Sequence, residues 1–137
     1  MKKRILSIVM ATMLVLPLAA CGGSNEEASE KASFKVGLVT DVGGVEDQSF
    51  NQSAWEGLQR AEKELGVEVN YLASTTDADY APNIETFVDE EYDLIICVGY
   101  MLAQATREGA ENYPEQKFAI IDDTSNADLE NVSCLMF

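Results

Sequence analysis

Four short stretches carry side chains able to hold a small molecule: Asp41-Val42-Gly43-Gly44, Asp47-Gln48-Ser49-Phe50-Asn51, Gly99-Tyr100 and Asp122-Asp123-Thr124. They supply carboxylates, an amide, glycines and aromatic rings. Carboxylate oxygens accept hydrogen bonds from hydroxyl or ring N–H groups, and an asparagine offers a donor and an acceptor. A phenylalanine or tyrosine ring stacks on a flat face. That chemistry suits recognition of a neutral, flat, hydroxyl-bearing molecule. Catalysis is poorly served, because the 137 residues include no histidine. Ser-His-Asp triads, His-paired cysteine nucleophiles and His-ligated metal sites are thereby removed. Neither Gly-x-x-x-x-Gly-Lys-Ser/Thr nor Gly-x-Gly-x-x-Gly occurs. No catalytic residue, metal ligand or cofactor is expected.

Plainer readings stand beside these. Gly43 and Gly44 also fit a simple turn, Phe50 a hydrophobic staple, and Asp47 a helix cap more readily than a ligand contact. Of the adjacent pair, Asp122 is expected to face inward and Asp123 to be the next loop residue. Trp55, one step off the helical stripe, is expected to pack against a neighbouring helix. Asp89-Glu90-Glu91 reads as a solvated helix end.

The elements that position these residues follow from periodicity. Phe34 to Thr40 is apolar and β-branched and ends at a turn signal, as a strand does. Phe50, Ala54, Leu58, Ala61 and Leu65 recur at helical spacing from Gln48 onward, with Asp47 to cap the start and Gly66 to stop the end. A strand over 67–72 follows. A second helix is marked by Tyr80, Ile84, Phe87 and Val88, with Pro82 in its first turn. Tyr92 to Gly99 is a nearly unbroken apolar run, as in a strand covered on both faces. A third helix over 101–113 closes at Pro114, strand 117–121 ends at Asp122, and Val132 to Phe137 is the last strand. The order β-α-β-α-β-α-β-loop-β predicts an α/β doubly wound parallel sheet with helices on both faces. The strand order 2-1-3-4-5 would set Cys97 and Cys134 two strand spacings apart, about 9–10 Å, too far for a disulfide. In such sheets ligands bind beyond the carboxyl ends of the strands, where the four polar stretches fall.

The ends of the chain speak to location. Lys2, Lys3 and Arg4 precede an uncharged apolar stretch, Ile5 to Leu18, closing on Leu18-Ala19-Ala20-Cys21. This is the pattern of a secretory signal peptide over 1–20 with a lipid-acceptor cysteine at Cys21. Acyl chains on Cys21 would hold the protein to the extracytoplasmic face of the cell membrane. Residues 21–33 hold no large apolar side chain before Phe34 and form a lipidated tether. Residues 34–137 make the folded lobe, which stops on an apolar strand and so reads as cut short. From Cys21 onward there are six basic residues against 24 acidic ones, a formal charge of −18. Such a surface repels phosphate backbones, so nucleic acid is not an expected partner. A neutral or cationic solute is expected.

The segment from Asp41 to Gly57 (DVGGVEDQSFNQSAWEG) closely resembles the basic-membrane-protein family, substrate-binding lipoproteins of ABC importers that include purine nucleoside receptors. The aspartate, the Gly-Gly pair and Asp-x-Ser-Phe-Asn running into the first helix are all present, and the lipobox and Lys117 to Asp122 agree. The resemblance implies the first lobe of a type I periplasmic-binding-protein-like fold, with the second, ligand-closing lobe absent. It implies a nucleoside-like solute and an ABC permease as partners. By residue, it implies that Phe50 stacks on the base and Asn51 bonds the base edge. Asp41 and Asp122 would contact the ligand, and Gly99-Tyr100 would line the cleft. Two other classes remain open: a carboxylate-based phosphotransfer or hydrolytic enzyme, and a surface lipoprotein that signals or adheres without transport. Against the enzyme, Asp122-Asp123-Thr124 lacks Asp-x-Asp spacing.

Overall fold

The computed structural model describes residues 33–137. The signal peptide, Cys21 and all of the tether except Ser33 lie outside the described residues. Five strands, β1 (Lys35–Thr40), β2 (Glu68–Ala73), β3 (Leu94–Val98), β4 (Lys117–Ile121) and β5 (Val132–Leu135), form one sheet in the order β2-β1-β3-β4-β5. Every pairing is parallel. Three helices connect them: α1 (Phe50–Leu65), α2 (Tyr80–Asp89) and α3 (Ala103–Asn112), with 3-10 turns at Asp77–Asp79 and Tyr100–Leu102 leading into α2 and α3.

Strand alternation divides the core into two layers. Val36, Leu38, Val98 and Ile121 face α1 and meet Leu58. Val39, Ile95, Cys97, Phe118 and Ile120 face the other way and meet Tyr80, Ile84 and Phe87 of α2, together with Leu102 and Ala110. Right-handed crossovers require this division. The chain moves one way from β1 to β2 and then returns past β1 to β3, β4 and β5, so α1 lies on one face and α2 and α3 on the other.

Local chemistry ends the helices where the sequence reading put them. Gly66 adopts φ 70° and its N–H donates to the Glu62 carbonyl at 3.0 Å, closing α1. At the other end Asp47 takes up the free N–H groups. Its Oδ1 accepts from Ser49 at 2.8 Å and Gln52 at 3.0 Å, and its Oδ2 from Asn51 N at 3.2 Å. Only Asn51 and Leu58 of α1 are buried, so the ends of the expected stripe are not core. Leu65 is exposed, and Phe50 stands at the rim. Trp55 packs on a strand instead of a helix: its ring lies 4.8 Å from that of Tyr71 in β2. The edge position of β2 leaves Tyr71 free to cover it. Asp89, Glu90 and Glu91 are exposed at the end of α2.

The link from β4 to β5 has no helix, and polar side chains tie it to α3. Asn126 Nδ2 donates to the Ala103 carbonyl at 2.9 Å, and Arg107 donates to the Ser125 carbonyl at 2.9 Å and to Asp128 at 2.5 Å. Asn131 Nδ2 reaches the carbonyls of Ala110, Gln116 and Tyr113 at 3.0, 3.1 and 3.3 Å. One amide thus serves the Ala110 carbonyl in the last turn of α3, which has no partner within the helix, and two carbonyls of the turn that follows.

Cys97 and Cys134 are both free. Each pairs in register with Ile120, so β4 runs between them. Burial pushes the Cys97 thiol up to about 12.

Three outcomes are expected. An ideal Cβ on Gly37 would lie 2.6–2.8 Å from the Phe87 ring, whereas one on Gly57 meets nothing within 4 Å. Gly37→Ala should therefore cost about 1–3 kcal/mol, and Gly57→Ala should add roughly 0.5–1 kcal/mol, both read by urea unfolding. Asn131→Ala should cost about 1–3 kcal/mol by leaving the partly buried Ala110 carbonyl unpaired, with faster amide exchange in the β4–β5 link. A thiol reagent at mildly alkaline pH should leave Cys97 unlabelled until the protein unfolds. Labelling of the native protein at Cys97 would contradict the buried, neutral thiol.

Candidate functional site

The reversal of winding opens a crevice between the carboxyl ends of β1 and β3, because the chain leaves those neighbouring strands toward opposite faces. Asp41 directly follows β1 and Gly99 directly follows β3. Asp41 Oδ2 lies 3.8 Å from the position a Cβ would take on Gly99. Gly99 itself has φ 90°, a conformation that favours glycine. Its N–H donates to the Ile121 carbonyl at 2.9 Å, which ties the ends of β3 and β4 together.

The Asp41 carboxylate has two different oxygens. Oδ1 accepts from Gly43 N at 2.8 Å and from Asn51 Nδ2 at 2.7 Å. Oδ2 accepts no hydrogen bond from the described residues. Asn51 Nδ2 also donates to Asp47 Oδ2 at 3.0 Å, so one amide bridges two carboxylates. Burial works to raise the Asp47 carboxyl, but donors from Gln52, Ser49 and Asn51 outweigh it and hold that group below the usual carboxylate range. Asn51 is 2% exposed, yet its neighbour Phe50 is 46% exposed. The Phe50 ring lines a hollow of about 360 Å³ with Ser53, Ala54, Ile121 and Phe137.

Tyr100 opens the turn after Gly99 and is 67% exposed. Tyr80 of α2 is buried. Its hydroxyl lies 3.9 Å from Met101 Sδ, and its phenol is raised by burial first and then by the charges of Asp41 and Asp77. Asp122 follows β4 with φ 61°, an uncommon conformation for a residue with a side chain, and its N–H donates to the Leu135 carbonyl at 2.8 Å. Asp123 turns to local work: its Oδ1 accepts from Ser125 N at 2.8 Å and Ser125 Oγ at 2.5 Å. Gln48, Gly44, Gly99 and Asp122 all have positive φ and all lie in the loops after the strands, so unusual backbone gathers at this end of the sheet.

The structure thus brings Asp41, Asn51 and Gly99 into one place, sets Phe50 and Tyr100 exposed at the rim, and puts Asp122 at the neighbouring strand end. The sequence reading passed over Asp47 as a partner of Asn51 and Tyr80 as a neighbour of Asp41. Helical spacing from Asp47 to Asn51 hinted at the first, but only packing of α2 onto the sheet shows the second. Among the described residues no group of three or more acidic or thiol side chains is placed to hold a metal ion. The larger hollow, about 540 Å³, lies at the opposite pole among Val88, Tyr92, Tyr113 and Pro114. It sits at the amino ends of the strands, away from the crevice.

Residues 34–137 match the family model described as ABC transporter substrate-binding protein PnrA-like. The chain is 42% identical to a CD4+ T-cell-stimulating antigen of Listeria innocua, over all of this chain and 42% of that protein. It is 37% identical to the ABC transporter nucleoside-binding protein BmpA of Lactococcus lactis subsp. cremoris, over all of this chain and 41% of that one. It therefore spans about two-fifths of the length of these relatives. A solved ABC transporter solute-binding protein from Aeropyrum pernix K1 superposes with a TM-score of 0.68 at 36% identity, covering 74% of this chain and 28% of that one. Relatives of this kind bind substrates for transporters and are not enzymes, which sets aside the phosphotransfer alternative. The match takes in every strand and helix of the lobe, and the chain belongs to the PnrA-like family of ABC transporter substrate-binding proteins.

Proposed function

We propose that this chain is the ligand-binding first lobe of a lipid-anchored, extracytoplasmic receptor that delivers a purine nucleoside to an ABC permease. In this reading residues 1–20 are a signal peptide, Cys21 carries the lipid, residues 21–33 are the tether, and a second lobe closes over the ligand. Asp41, Phe50, Gly99, Tyr100 and Asp122 form this lobe's share of the ligand surface.

The observation that carries the reading is the pairing of a half-exposed ring, Phe50, with an open carboxylate oxygen, Asp41 Oδ2, at the same end of the sheet. A flat base stacks on the first, and its N–H or a ribose hydroxyl donates to the second. The basic side chains Lys35, Arg60, Lys63, Arg107 and Lys117 belong to strand starts, the outer part of α1 and the α3 surface. Among the described residues a phosphate would therefore meet carboxylates in the crevice without a cation to offset it, which favours the nucleoside over its nucleotide. The nucleoside-binding name of the Lactococcus relative points the same way.

Isothermal titration of the protein expressed from its complete natural reading frame tests this. Inosine, guanosine or adenosine should give saturable one-site heat, and Phe50→Ala should cost about 1–3 kcal/mol of that affinity. Heat with a sugar or peptide, and none with any nucleoside, would sink the nucleoside assignment.

A further inference from the structure

We propose that the hollow at the amino ends of the strands, between the turn after α2 and the turn after α3, is a second binding site that takes a small organic cation, an ammonium or guanidinium on an apolar body. The inference stands apart from the reading of the β1/β3 crevice.

Helices α2 and α3 pack together on one face of the sheet, and both run back toward the amino ends of the strands. The space of about 540 Å³ where they end is walled by Val88, Tyr92, Tyr113 and Pro114 and edged by Glu91 and Glu115. Small-molecule sites usually measure about 300–1,000 Å³. Among the described residues no lysine or arginine lines this one.

The Tyr92 side chain points to a ligand. It is 6% exposed, and its ring is held in place, with the Phe87 ring 4.6 Å away and Lys35 Nζ 4.9 Å from its centroid. A phenol with a buried ring usually finds a hydrogen-bond partner. This hydroxyl has none among the described residues, and it is not one of the atoms sealed from solvent, so it opens to the hollow that Tyr92 lines.

Glu91 adds to this. At the end of α2 its N–H donates to the Val88 carbonyl and the Tyr92 N–H to the Phe87 carbonyl, each at 3.0 Å. These are the paired bonds of a helix end whose turning residue is usually glycine. Glu91 fills that position at φ 57°, where a side chain is disfavoured. The chain thus keeps a carboxylate at the edge of the hollow against the preference of its own backbone.

The lining selects the ligand. Carboxylate and phenolic oxygens accept hydrogen bonds from N–H groups, and a tyrosine face attracts a cation. The apolar walls cover a hydrocarbon or aromatic body. An anion would meet two carboxylates with nothing to offset them. Positive charge, N–H donors and an apolar body together match what the hollow offers.

Benzylamine is the probe. It is titrated into the ¹⁵N-labelled protein expressed from its complete reading frame, and amide shifts are followed. Saturable shifts should appear at Glu91, Tyr92, Tyr113 and Glu115 and not at Gly43 or Asn51. Benzyl alcohol, which has the same ring without the charge, should bind about tenfold more weakly or worse. Glu115→Gln and Glu91→Gly should each weaken benzylamine about threefold or more, and Glu91→Gly should raise Tm because glycine suits the turn. Tyr92→Phe, which keeps the ring, should weaken binding about twofold or more. Glu62→Gln on the exposed face of α1 controls for general attraction to an acidic protein and should change nothing. Absence of saturable shifts around the hollow overturns the site. Equal affinity for benzyl alcohol overturns the choice of a cation, and so does a loss with Glu62→Gln as large as that with Glu115→Gln.

Discussion

The reversal of winding about β1 is the constraint on which the lobe depends. Right-handed crossovers send α1 to one face of the sheet and α2 and α3 to the other once the chain turns back past β1. Two neighbouring strands then end with their outgoing loops parted, and the space between them becomes a crevice without any residue being spent on making one. Asp41 and Gly99 acquire their relation to each other in this way, although 57 residues of chain separate them. The loops at this end absorb the geometry through positive φ at Gly44, Gln48, Gly99 and Asp122.

Polar side chains hold the connections that apolar packing cannot. At α1 a single aspartate satisfies the first amide groups and, through Asn51, joins the end of β1. At α3 the β4–β5 link replaces a crossover helix with a line of side-chain contacts from Asn126, Arg107 and Asn131. A link without helical hydrogen bonds must find partners for its own backbone and for the helix end that it covers. Asparagine suits this because its amide donates and its length reaches across a turn. The Arg107–Asp128 pair is largely exposed and contributes modestly by comparison.

Charge and site chemistry agree. A domain this acidic would gain little from an anionic partner, and the crevice offers carboxylate acceptors suited to a group that carries hydrogen-bond donors. Low-dielectric surroundings make an isolated carboxylate costly, and the lobe offsets that cost at Asp41 Oδ1 and at both oxygens of Asp47 with amide donors instead of cations. A site built this way keeps its negative charge fixed in direction, with one oxygen free for a partner.

Much of the lobe was legible from the residues in order. Alternation of apolar strands with helical stripes determined the element order, and the strand order 2-1-3-4-5, taken from the common doubly wound pattern, agrees with the observed sheet and parts Cys97 from Cys134. Asp47 and Gly66 could be read as helix ends because capping is a local interaction within a few residues. Tertiary structure alone decided which residues look outward. Phe50 and Leu65, the first and last residues of α1, share the helical stripe yet are exposed, because periodicity does not show where packing against the helix stops. Asn51 is buried beside Asp41, which follows β1 and supplies a partner that periodicity along α1 does not reveal. Trp55 found Tyr71, Gly37 made room for Phe87, and Asn131 reached the end of α3 for the same reason. Each depends on segments distant in sequence meeting at a few ångströms, and only packing of the helices onto the sheet sets those distances.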